Sequence, residues 1–255
     1  MRTGPIRANQ VESEFLSPGG FGFPMGGWLG ILPGMWNGGY FISFEGSEGC
    51  GKSTQIAMLL GTLRAAGKEP LLVREPGGTP VGECVRHLLQ HAPEGEGMVA
   101  EAELLLFAAS RAQLVRQVIL PALGEGKIVV ADRFLDSTTV YQGVARHIPS
   151  GDVAMVNRFA AGPRLPDITF VLDMDPAIAM ERLRSGRGPG APADRMEDQG
   201  PAFYEAVRAG YLTLAAAAPE RIRLLDAGQP SDRIAAEILN HLANTRHALL
   251  EGIRS

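Results

Sequence analysis

The chain has 255 residues, of which 45% are hydrophobic and 20% charged, with a formal net charge of −4 and two cysteines. That length allows one large or two small domains, and the composition excludes a wholly disordered chain and a multi-span membrane protein. The acidic balance argues against a nucleic-acid partner, and Cys50 and Cys84 supply neither a disulfide framework nor a metal site, which fits a reducing cytoplasm.

Residues 1–38 read as a flexible Gly/Pro-rich extension. Ten of the 32 glycines and both tryptophans, Trp28 and Trp36, fall in residues 1–39. Phe15–Phe44 carries no charge, but nine glycines and three prolines interrupt it, so no continuous membrane helix or signal peptide is written there. In a second reading the natural start is Met35 and the preceding residues are a gene-model artefact.

From Gly39 the pattern alternates short β-rich runs with helical ones, as in a parallel sheet with crossover helices. Tyr40–Glu45 predicts a strand, followed by a glycine loop and a helix with Ile56, Leu59, Leu60 and Leu63 at helical spacing, ended by Gly67. Pro70–Arg74 predicts a strand, and Thr79-Pro80 caps a helix reaching about Gln90. His91–Gly97 reads as a loop, Val99–Leu120 as a long helix, and Lys127–Ala131 and Asp167–Asp173 as strands, with Asp175-Pro176 opening a helix. Ser185–Gly200 lacks apolar periodicity and reads as a surface loop; helix Ala202–Ala218, strand Ile222–Leu225 and helix Ser231–Leu242 close the chain.

Gly46-Ser47-Glu48-Gly49-Cys50-Gly51-Lys52-Ser53 fits G-x-x-x-x-G-K-[ST] between a predicted strand and a predicted helix, and with three lysines in the chain a chance match is rare. The glycines let successive backbone N–H groups curl around phosphate oxygens, and the helix adds its positive end. Lys52 would reach the β and γ phosphates of a bound nucleotide, and Ser53, with Thr54 behind it, would place a hydroxyl on Mg²⁺. Cys50 has two readings: a thiolate favoured near a helix N-terminus, or a small buried residue.

A phosphate loop names a donor but not an acceptor. Asp132-Arg133-Phe134 lies at the carboxyl end of a predicted strand, where Asp132 would hold Mg²⁺ or orient an acceptor and Arg133 would fork onto phosphate. Phe107 and Arg111 are four residues apart on a predicted helix, so the ring can stack on a planar base while the guanidinium bonds its edge; Phe107 also fits a core position after Leu104–Leu106. Thr138 and Gln142 repeat the spacing beside Tyr141. Arg182, Arg184, Arg187 and Arg195 surround the Gly/Pro loop, as a lid closing over polyphosphate or as solvated charge. The rival reading is a nucleotide-dependent switch or binding module: Asp226-Ala-Gly-Gln229 superficially matches a GTPase switch segment, but no N-K-x-D motif occurs.

Taken together and in order, Phe41–Thr54, Arg74-Glu-Pro-Gly-Gly-Thr79, Leu105–Arg111, Asp132-Arg133-Phe134, Tyr141-Gln142-Gly143 and Asp194-Arg-Met-Glu197 resemble the thymidylate kinase (dTMP kinase) family from about Tyr40 to Leu242. The resemblance implies a P-loop NTPase fold: a three-layer αβα unit with a parallel sheet of about five strands, over residues 39–248, with a mobile lid at 185–200. It implies transfer of the ATP γ-phosphoryl group to dTMP in a Mg²⁺-dependent homodimer, with no nucleic-acid or membrane partner. It assigns Phe107 to stacking on thymine, Arg111, Thr138 and Gln142 to the base edge, and Arg86 and Arg133 to the dTMP phosphate. Glu48 and Tyr141 would lie against the deoxyribose, Glu75 would line the acceptor site, and Ala227–Pro230 would lie near the adenine of ATP. Some members carry an arginine where this chain has Gly49, which shifts the transfer arginine to the lid: Arg187 first, then Arg184 and Arg195.

Overall fold

The computed structural model describes residues 39–186, 195 and 199–245; the extension, Arg187 with most of the lid, and the end of the chain lie outside the described residues. Five strands form one parallel sheet in the order β2-β3-β1-β4-β5: β1 is Tyr40–Glu45, β2 Leu71–Arg74, β3 Ile128–Asp132, β4 Ile168–Asp173 and β5 Ile222–Asp226. The helices are α1 Lys52–Ala65, α2 Pro80–Gln90, α3 Ala100–Gly124, α4 from Leu135–Thr138 into the π-helical Thr139–Ala145, α5 Ser150–Ala161, α6 Pro176–Gly186, α7 Pro201–Ala217 and α8 Ser231–Thr245. The expected α/β class with a five-stranded parallel sheet is therefore observed.

Strand alternation divides the core. Tyr40, Ile42 and Phe44 of β1 join Ile56, Leu60 and Leu63 of α1 and Ile234, Ile238 and Leu242 of α8 in one cluster. On the other face Phe41 packs with Leu114, Val115, Ile119 and Leu123 of α3 and with Phe134. Fully burying such an aliphatic side chain is worth about 1.5–3 kcal/mol, so these two clusters hold the layers together.

Local chemistry sets the element ends. Thr79 Oγ1 accepts the Gly82 N–H at 3.0 Å and Pro80 opens α2, as expected. Asp175 Oδ1 likewise accepts the Ala177 N–H at 2.9 Å at the head of α6. The expected end of the long helix at Leu120 is corrected to Gly124. Pro121 lacks an N–H and crowds the preceding turn, and the helix passes it by widening into a π-helical segment, Val115–Ile119. This is also the helix among the described residues long and apolar enough to cross a membrane, and its Leu114, Val115, Ile119 and Leu123 are buried in the core.

Of the two helices between β3 and β4, α4 carries the Thr138/Gln142 pair at its expected helical spacing, and α5 has no counterpart in the sequence reading. In α5 the inward positions are Val153, Asn157, Ala160 and Ala161, so a polar residue breaks the apolar stripe. Asn157 is buried because it accepts Arg111 Nη1 at 2.8 Å and donates to Thr139 Oγ1 at 3.0 Å.

Order 2-3-1-4-5 puts the reversal of strand order beside β1, and ligands of such sheets bind outside the strand ends at that reversal. Glu45 ends β1 there, fully buried. Its Oε1 accepts the Phe134 N–H at 2.8 Å, and its Oε2 accepts the Tyr211 hydroxyl at 2.9 Å and the Ser137 hydroxyl at 2.5 Å, so one carboxylate joins β1, α4 and α7. Burial, with the Asp136 charge, pushes this carboxyl up to about 7 against the pull of Ser137, Arg133 and Phe134. The folded protein therefore holds a proton that the unfolded chain releases, and stability falls as pH rises from 4.5 to about 7. In chemical denaturation, the stability of wild type relative to Glu45→Gln should drop by up to about 3 kcal/mol between pH 4.5 and 8; a difference that stays flat would contradict this.

Candidate active site

The loop after β1 turns on glycines: Gly46, Gly49 and Gly51 have φ of 130°, 75° and 97°. At Gly49 space also forbids a side chain, because a Cβ would lie 2.0 Å from the Ala179 carbonyl oxygen of α6. α1 begins directly after Gly51 with no side-chain cap, which leaves its first N–H groups for an anion. Lys52 is buried and donates to the Gly46 and Ser47 carbonyls at 3.0 and 2.7 Å, so its ammonium is held over the loop. Ser53 and Thr54 are exposed at the helix head, and both line a cleft of ≈ 580 Å³ with Gly49, Lys52 and Arg182. Arg182 Nη1 donates to the Ala227 carbonyl at 3.2 Å, which brings the Ala227–Pro230 loop to the side of this cleft. Cys50 is buried in the core cluster, the second of its two readings.

A second cavity, of ≈ 230 Å³, adjoins the first and shares Lys52 with it. Its lining brings together Glu48, Glu75, Arg86, Phe107, Arg111, Asp132, Arg133, Thr138, Tyr141 and Gln142, side chains drawn from the phosphate loop, the ends of β2 and β3, and α2, α3 and α4. Phe107 is half-buried at its wall rather than sunk in the core.

The floor between the cavities is charged. Arg133 has a positive φ of 69° and is fixed by its own N–H to the Phe44 carbonyl at 3.0 Å. Its Nη1 donates to the Gly46 carbonyl at 2.9 Å and its Nη2 to Glu48 Oε1 at 2.7 Å, while the Tyr141 hydroxyl donates to Glu48 Oε2 at 2.8 Å. Burial acts to raise the Glu48 carboxyl, but the Arg133 and Lys52 charges and the Tyr141 hydrogen bond outweigh it and hold it below the usual range.

Arg111 is the base of the other wall. It is 1% exposed; its Nε donates to Glu75 Oε2 at 2.8 Å, its Nη1 to Asn157 and its Nη2 to Thr138 Oγ1 at 2.8 Å. Burial pushes the Glu75 carboxyl up despite this ion pair, and among the described residues Glu75 Oε1 has no hydrogen-bond partner. Gln142, also buried, donates to Glu103 Oε1 at 2.8 Å.

Of the lid arginines, Arg187 lies outside the described residues and Arg184 is exposed at the end of α6. Arg195 is turned away from the phosphate cleft's lining: its Nη2 bonds Glu103 Oε2 at 2.6 Å and its Nε the Leu89 carbonyl at 2.9 Å. Sequence reasoning missed Glu103, Asn157, Glu45, Tyr211 and Ser137 as supports. Glu103 had a usable signal, since 103, 107 and 111 share one helical face.

A metal must find ligands here without a protein cage, because no cluster of three or more His, Cys, Asp or Glu among the described residues could hold one. Ser53 and Asp132 line a common groove. One hydroxyl and one carboxylate fit a hard cation that keeps its waters and takes its other ligands from phosphate oxygens.

The chain matches known proteins over most of its length. A sequence model of thymidylate kinase matches residues 44–238. The chain is 46% identical over 215 residues to a thymidylate kinase of Pelotomaculum thermopropionicum, covering 84% of this chain and 97% of that one. It is 48% identical over 191 residues to one from Pseudomonas syringae, covering 75% of this chain and 89% of that one. The crystal structure of thymidylate kinase from Ehrlichia chaffeensis superposes with a TM-score of 0.64 at 32% identity, over 80% of this chain and 99% of that one. With this phosphate loop and matches over this much of its length, the chain belongs to the thymidylate kinase family.

Proposed function

We propose that this protein transfers the γ-phosphoryl group of ATP to dTMP, giving dTDP and ADP. The observation that carries the reading is Lys52, which lines both the phosphate-loop cleft and the acceptor cavity, so one cation stands where donor and acceptor phosphates meet. Phosphoryl transfer needs positioning and charge neutralisation rather than covalent help. The loop N–H groups and Lys52 bind the donor phosphates. Arg133, with Arg86 across the cavity, binds the acceptor phosphate, and Phe107 stacks on the base whose edge meets Arg111, Thr138 and Gln142. Glu48 and Tyr141 bound the sugar, Glu75 holds Arg111, and Asp132 orients the attacking phosphate oxygen. The divalent cation such transfers use is assigned here as Mg²⁺; Ser53 would hold it, and it would supply neutralisation of phosphate charge. Arg187 remains the lid arginine of this reading. Residues 39–248 form the catalytic body, with 1–38 an extension outside it, in a cytoplasmic enzyme.

The homodimer is assigned to the outer face of the packed pair α3 and α5, because Leu105 and Met155 stand exposed on these helices.

An ADP-release assay across dTMP, dUMP, UMP, CMP and AMP should show the highest kcat/KM for dTMP; no preference for it would overturn the reading. Lys52→Ala should lower kcat by about 10²–10³-fold with little change in the KM for dTMP, and an unaltered kcat would remove Lys52 from the transfer. For the dimer, Leu105→Asp should shift the mass measured by sedimentation from two chains to one, and an unshifted dimer would place the interface elsewhere.

A further inference from the structure

Glu103 lies on α3 one and two helical steps before Phe107 and Arg111, and it is 1% exposed. Its carboxylate takes Gln142 Nε2 at 2.8 Å on Oε1 and Arg195 Nη2 at 2.6 Å on Oε2, and Arg146 Nε reaches Oε1 at 3.4 Å. A carboxylate flanked by two guanidinium groups offers acceptors only, so the Gln142 amide has one orientation open to it, with its NH₂ toward Glu103. The amide oxygen is then left for the acceptor cavity, which Gln142 lines, and it accepts no hydrogen bond among the described residues.

The neighbouring group on that wall, Arg111, can only donate. The wall therefore presents a donor beside an acceptor. A pyrimidine edge with a carbonyl next to a ring N–H, as in thymine and uracil, matches both. Cytosine, with an amino group next to a bare ring nitrogen, mismatches both and would leave two buried polar groups unpaired.

We propose that Glu103 is the positioning residue that sets this selectivity, by locking the Gln142 amide with its oxygen toward the base. The proposal rests on the dTMP kinase reading. Replacing Glu103 with Gln puts a side chain there that can donate or accept, so the Gln142 amide becomes free to present either end.

The test is steady-state kinetics of wild type, Glu103→Gln and Glu103→Asp with dTMP, dUMP and dCMP. In Glu103→Gln the dTMP-to-dCMP ratio of kcat/KM should fall by about tenfold or more, mainly through KM. The dTMP-to-dUMP ratio should stay within about twofold, since these two bases share the same edge and differ by a methyl group. Glu103→Asp keeps the carboxylate and should keep the dTMP-to-dCMP ratio. Should Glu103→Gln fail to fold, binding of N3-methyl-dTMP to wild type decides the amide orientation: an oxygen facing N3 makes it bind about tenfold or more weaker than dTMP. An unchanged dTMP-to-dCMP ratio, an equal loss on all three substrates, or tight binding of N3-methyl-dTMP overturns the role of Glu103 while leaving dTMP kinase activity standing. A wild type that does not prefer dTMP overturns both readings.

Discussion

The ion pair between Arg133 and Glu48 joins the two halves of the site. Glu48 belongs to the phosphate loop and Arg133 to the end of β3, and their side chains meet at 2.7 Å with 17% exposure each. The same guanidinium bonds the Gly46 carbonyl and lies 5.2 Å from the centre of the Tyr141 ring, whose hydroxyl takes the other Glu48 oxygen. Arg133 reaches these partners from a positive φ of 69°, a conformation costing about 1–3 kcal/mol for a residue with a side chain. Removing one partner of a buried pair costs about 3–5 kcal/mol, so the pair outweighs the strain and holds the corner in place. The phosphate loop and the end of β3 are thereby tied together at one corner.

The rest of the fold supports that corner. Parallel strand order brings the ends of β1 and β3 side by side, with Phe44 in register with Asp132. Glu45 holds the Phe134 N–H, and its partner Ser137 also accepts Arg133 Nη1 at 3.2 Å, so the residues around Arg133 are tied to the residue that precedes the phosphate loop. On the far wall Arg111 is held by Glu75, Asn157 and Thr138, and Gln142 by Glu103. Such restraint suits a reaction in which the protein supplies geometry and charge.

What was legible in the sequence was what depends on short spacing. The phosphate loop, the cap at Thr79 and the pairs Phe107/Arg111 and Thr138/Gln142 each express themselves within a few residues, and the structure brings the two pairs to one cavity. The supports were hidden because they are long-range: Glu45 meets Tyr211 across 166 positions, and Arg111 meets Asn157 across 46. Asn157 was doubly hidden, since the polar residue that anchors Arg111 also blurs the apolar stripe that would have announced α5. Pro121 misled in the opposite sense, because a proline that ordinarily stops a helix is here absorbed by a π-helical turn. Arg195 read either as a lid arginine or as solvated charge, and it is bound to a buried carboxylate, a contact no local pattern encodes.

The claim that one ion pair makes donor and acceptor sites a single unit is tested most directly by a double-mutant cycle. Arg133→Gln, Glu48→Gln and the double variant would be compared with wild type in kcat/KM for dTMP. If the pair is the joint, either single variant loses most of what the double loses, and the combined loss falls short of the sum by about 1.5 kcal/mol or more. Losses that add within about 0.5 kcal/mol would show that the two side chains act independently and would contradict the account.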